Sequence, residues 1–117
     1  MIGIIMWLAV AALGGTTLSV IAWRMWREPI LGWLSERKLD TSSVRKALVV
    51  LDRLDHATIG RVLILLKNRL APEVIHSSIK VISDTELKSL LDGDPAAFQN
   101  VKRGNTVEIE ITTEIEG

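Results

Sequence analysis

The chain contains no cysteine. That excludes disulfides, thiolate metal sites and a cysteine nucleophile, and it fits a reducing compartment. Histidine is scarce, with only His56 and His76. No glycine-rich phosphate loop is present: Gly14-Gly15 lies in an apolar run and the other glycines are isolated. Charge of one sign is also lacking, because 14 basic residues balance 14 acidic ones. No bulk charge therefore points to a nucleic acid or an acidic substrate.

The most informative absence is local. Met1–Trp23 carries no Asp, Glu, Lys or Arg, and Arg24 ends the run. About 20 apolar residues cross a bilayer as a helix, so residues 1–23 are predicted to be a transmembrane helix. A cleaved signal peptide fits poorly, since no basic residue precedes the run and it continues past an ordinary apolar core. Trp7 and Trp23 lie near its ends, where indoles favour the membrane–water interface. Basic residues follow the segment and none precede it. This predicts an N-terminus outside and the remaining chain in the cytoplasm, at the cell inner (plasma) membrane. Ala11, Gly15 and Ser19 recur every four residues, with Ala22 close to the same stripe. Small residues at that spacing let membrane helices approach closely, so they read as a packing face for homo-oligomers.

Residues 24–39 read as a juxtamembrane collar. Trp26, Ile30 and Trp33 follow one helical face, and Arg24, Arg27, Arg37 and Lys38 supply cations for the lipid surface. Pro29 suits the first turn of a new helix. Asp40-Thr41-Ser42-Ser43 reads as a break with a helix cap.

Residues 40–117 are expected to form a small α+β domain. Val44, Leu48, Leu51 and Leu54 have helical spacing. Ile59, Val62, Leu63, Leu66 and Leu70 form a second, wide helical stripe that reads as an oligomer or partner face. Residues 73–82 are ambiguous, with β-branched residues favouring a strand from Ser78 to Ile82. Ser83-Asp84-Thr85-Glu86 is a capping box that opens a short helix, with Gly93 placed to end it. Asp94-Pro95 opens another, closed by Gly104. Val107, Ile109, Ile111 and Ile115 then alternate with Glu108, Glu110, Thr112, Glu114 and Glu116. Period two predicts a strand with those glutamates on a solvated face, paired with Ser78–Ile82. Such a two-stranded sheet calls for completion by another copy.

Candidate chemistry is sparse. His56 beside Asp55 reads as a surface or capping histidine, and His76-Ser77-Ser78 lacks the geometry that defines a triad. The expectation is no catalytic residue, no metal and no cofactor. Lys102 and Arg103 suit a helix C-terminus; the sharper reading is an anion contact for a small nucleotide ligand. The expected function is a non-enzymatic, membrane-anchored adaptor or assembly subunit whose cytoplasmic domain oligomerises and docks a protein partner. One alternative is an oligomeric membrane effector, as in antiviral defence, that senses a small nucleotide-like ligand. Another is a viral membrane-layer or infection protein.

Overall fold

The computed structural model describes residues 12–13, 16–92 and 94–116. Its strands are β1 (Ala12–Leu13), β2 (Val44–Leu54), β3 (Ala57–Leu66), β4 (Glu73–Ile82) and β5 (Val107–Glu110). The helices are α1 (Thr16–Glu36), α2 (Asp84–Leu90), α3 (Pro95–Lys102) and α4 (Thr112–Glu116). The strands form one sheet in the order β1-β5-β2-β3-β4. β5, β2, β3 and β4 are mutually antiparallel, and the two-residue β1 joins β5 in parallel.

The transmembrane expectation is overturned. Among the described residues, no helix is long and apolar enough to cross a membrane. Part of the charge-free run pairs as β1, and α1 continues without a break through Trp23 into the cationic stretch. A bitopic chain with an outside N-terminus at the inner membrane is therefore not supported. Met1 to Ala11, with Trp7, lie outside the described residues, as do Gly14 and Gly15. The physical reason is visible on α1. Leu18, Ala22, Trp26 and Ile30 recur every four residues, and all are buried in the core shared with the sheet. A stripe that sequence alone assigns to lipid or to a partner helix is here the face that covers a sheet. Arg24, Arg27 and Glu28 occupy the opposite, exposed face.

The two expected long helices and the two-stranded sheet are overturned as well. Val44–Leu54 and Ala57–Leu66 are the strands of a hairpin, paired from Val44–Leu66 to Leu54–Ala57. Short apolar runs do not distinguish a helix from a buried strand by period alone. Ala47 to Leu51 are five consecutive buried residues, because this part of β2 is covered on both faces. Asp55-His56 forms the two-residue turn. Asp55 takes φ +56°, a region in which Asp is tolerated better than most residues.

β4 is a strand throughout the ambiguous 73–82 segment, and it pairs with β3 rather than with the last strand. β5 pairs with β2 instead. It stops at Glu110, and Thr112–Glu116 coils into α4 with Ile111 and Ile115 in the core. The capping box forms as the sequence implies: Ser83 accepts from the Glu86 N–H, and the Glu86 carboxylate accepts from the Ser83 N–H. Asp94 caps α3 by accepting from the Ala97 N–H.

Pro29 does not begin a helix but sits inside α1. It has no N–H to give the carbonyl four residues back, at Met25. Lys80 of β4 supplies the missing donor, with Nζ 3.0 Å from the Met25 oxygen. The same ammonium lies 4.8 Å from the Trp26 ring centroid. Trp26 Nε1 in turn donates to the Ser78 carbonyl at 2.9 Å. Ser78 stands where the β3–β4 register shifts, Gly60 pairing with Lys80 but Val62 with Ile75. Its hydroxyl accepts from the Val62 N–H and donates to the Ile75 carbonyl. The irregular part of β4 is thus bonded from both sides. Gly60 completes this contact: a Cβ there would stand 2.7 Å from both Trp26 and Ile82 side-chain atoms.

Candidate functional site

The sheet has two unlike faces. Ala47, Val49 and Leu51 of β2 point to one, with Val62 and Ile64 of β3 and Ile109 of β5. They join Leu18, Trp26, Leu87, Val101 and Ile115 from the described helices in one core. Alternation places Lys46, Leu48, Val50 and Asp52 of β2 on the second face. Cross-strand partners extend it: Val50 lies between Arg61 and Glu108, Leu48 between Leu63 and Glu110, and Asp52 opposite Ile59. Leu48 and Val50 are buried but are not part of the helix-covered core.

This second face carries a polar arrangement centred on Asp52. Asp52 accepts from Arg61 at 2.6 Å through one oxygen and from the Thr106 hydroxyl at 2.6 Å through the other. Glu108 stands two strands from Arg61, is 1 % exposed, and among the described residues has no hydrogen-bond partner for either carboxylate oxygen. Burial pushes its carboxyl above the ordinary glutamate value. The charges of Lys46 and Arg61 act against that rise and the charge of Asp52 adds to it. The alternating pattern locates β5 but places Glu108 in solvent, which the structure corrects. Glu114 lies on α4 rather than on a strand.

Towards β4 the same face opens. Ile59, Leu63 and Leu65 are half-buried, as is Val74 of β4, while Ile79 is 47 % and Val81 66 % exposed. Among the described strands, β4 lies at the end of the sheet. The expected partner stripe is divided by the strand geometry. Ile59 and Leu63 lie on the second face, Val62 and Leu66 in the core, and Leu70 in the β3–β4 connection, 94 % exposed.

The other sequence candidates fall as follows. Ser19 and Ala22 are buried in α1, and Ala11 is outside the described residues. Trp26 and Trp33 are buried, and Trp23 packs partly against the core. The Arg37 guanidinium lies 4.0 Å from the Trp33 ring centroid and donates to the Trp33 carbonyl at 3.1 Å. Lys38 follows α1 with φ +56° and stays exposed. Lys102 is held 2.8 Å from Asp84, whose other oxygen takes Arg53 at 2.9 Å, while Arg103 caps α3 and is exposed. The two cations are therefore not brought together on one free anion contact. The bonds from Lys102 and Arg53 hold the Asp84 carboxyl below its usual range. His56 in the hairpin turn and His76 in β4 are both exposed. Among the described residues, no group of three or more His, Cys, Asp or Glu is placed to hold a metal ion.

Comparison with protein-family models, with curated proteins and with solved structures returns no match to this chain.

Proposed function

We propose that this chain is a non-enzymatic assembly module that pairs with a second copy of itself through β4 and the adjoining second face. The observation that carries the reading is the exposure of Ile79 and Val81 on the terminal strand of the sheet, beside half-buried Ile59, Leu63 and Val74. An edge strand offers unpaired backbone donors and acceptors to another strand, and apolar side chains beside it add area to the contact. Two-fold interfaces are self-complementary, and an antiparallel β4–β4 contact about such an axis sets Ile79 and Val81 of one strand beside the same residues of the other.

Sedimentation equilibrium of the full chain tests it. The wild type is expected to be a dimer in the micromolar range. Ile79→Lys and Val81→Lys, both at exposed positions, should give folded monomers with unchanged circular dichroism. A monomeric wild type at about 100 μM, or a dimer indifferent to both substitutions, overturns the reading.

A further inference from the structure

An open pocket of about 330 Å³ lies where the end of α1 meets the β3–β4 connection, lined by Arg37, Leu39, Leu66, Asn68, Arg69 and Glu73. Its volume falls at the small end of ligand sites. Its walls divide by chemistry. Leu66 is buried and Leu39 half-buried, giving an apolar floor. Arg37 is already oriented: its guanidinium carbon lies 4.0 Å from the Trp33 ring centroid, and Nη1 is bonded to the Trp33 carbonyl and stands 3.9 Å from the Glu36 carboxylate. Asn68 and Arg69 are exposed, and among the described residues neither side chain has a bonding partner. Lys38 and Lys67 are exposed and adjoin lining residues in sequence, as do Glu36 and Asp40, so with Arg37, Arg69 and Glu73 four basic residues stand against three acidic ones.

The backbone here is fixed rather than loose. Leu39 N–H donates to the Leu34 carbonyl and Lys38 N–H to that of Ser35, which closes α1 with a reversed turn. Lys67 N–H donates to the Ser43 carbonyl and Arg69 N–H to that of Leu66. The two arginines are thus carried on anchored segments facing one pocket. Planar guanidinium groups suit bidentate contact with phosphate oxygens, and Arg37, being pre-oriented, loses less freedom on binding.

We propose that this pocket binds a nucleoside monophosphate. Arg37 and Arg69 take the phosphate, the accessible part of Leu39 takes the face of the base, and Glu73 and Asn68 take sugar hydroxyls. A bare phosphate leaves the apolar floor and Glu73 unused, and Glu73 repels it. A neutral nucleoside leaves both arginines without an anion. The site is separate from Lys102, which Asp84 occupies.

Calorimetric and NMR titration of the full chain tests the assignment with three probes: adenosine monophosphate, adenosine and inorganic phosphate. Adenosine monophosphate is expected to bind and to shift the amide signals of Leu39, Asn68 and Arg69. Arg69→Ala should weaken it about tenfold and Arg69→Lys less, the difference reporting loss of bidentate contact. Arg69 is exposed, so the thermal midpoint without ligand should hold. Binding of inorganic phosphate as tight as that of adenosine monophosphate overturns the nucleotide assignment. So does absence of binding at 5 mM probe, or binding that Arg69→Ala leaves unchanged. None of these outcomes depends on the β4 contact, because Ile79→Lys leaves the pocket intact.

Discussion

Glu108 is a buried acid that the charges of Lys46 and Arg61 only partly support. A carboxylate taken out of water without a donor is destabilised in its ionised form, so folding shifts this group toward protonation. Its carboxyl is raised above the value of 4.5 that an unperturbed glutamate has. The folded state then binds a proton that the unfolded state has already released. Stability from this group is complete below the ordinary glutamate range and falls as pH rises through the folded value. Glu108→Gln removes the ionisation and should raise the unfolding free energy at pH 8 by about 1–3 kcal/mol. The difference should vanish near pH 4, and thermal unfolding across that range reads it. A gain that persists unchanged at low pH would show that ionisation is not the cause. This residue is the part of the second face least legible in sequence. Glu108 sits at a position of period two that also fits a solvated face, and only the β2 and β3 neighbours decide its burial.

At the scale of elements, α1 and β4 depend on each other through Pro29 and Lys80. Proline removes one helix bond, and a lysine 51 positions later replaces it at Met25. Lys80→Met should strip the Met25 carbonyl of its donor and cost about 1–2 kcal/mol. Pro29→Ala in that background restores an N–H at the right position and should recover most of the loss. Chemical denaturation of the four chains of the cycle measures this, and additive effects would show that the two residues do not act on one carbonyl. Local signals were legible where they reside in a few neighbouring residues: the Ser83–Glu86 box, the Asp94-Pro95 start of α3 and the break at Asp40. The hairpin was not. Val44, Leu48, Leu51 and Leu54 match a helical stripe, and Val49 and Val50 fill the gaps as they must in a strand buried on both faces. Length and β-branching, not period, separate the two. Trp26 was read as an interfacial anchor for the same reason: an indole with an apolar body and one donor suits a lipid headgroup and the Ser78 carbonyl equally well.

Across the whole molecule, one carboxylate ties three elements. Asp84 begins α2, takes Arg53 from the β2–β3 hairpin and takes Lys102 from the end of α3. Its carboxyl is held below the usual value, first by Lys102 and then by Arg53. The stabilisation is present above the ordinary aspartate range and is lost as pH falls through the lower, folded value. Asp84→Asn should lower Tm at pH 7 and begin acid unfolding from a less stable state, with the gap to wild type closing below the carboxylate range. The site is solvent-accessible, so added salt should narrow the gap at neutral pH as well. A gap that survives both acid and salt would show that the charge of Asp84 is not the cause.

The position of β5 has a temporal consequence. It is the last strand in sequence, yet it lies in the sheet between β1 and β2, and its partner Ala12 stands at the other end of the described chain. As the polypeptide leaves the ribosome, the β2–β3–β4 meander has all its neighbours to hand and can form from contacts local in sequence. β1 must wait until Glu108 and Ile109 emerge. The β2 edge, flanked by Val49 and Leu51, therefore remains an unfilled slot for most of synthesis. Closing it requires the distant Val49–Ile109 pairing, and the still more distant Ala12–Glu108 pairing then adds β1; contacts of such separation slow folding.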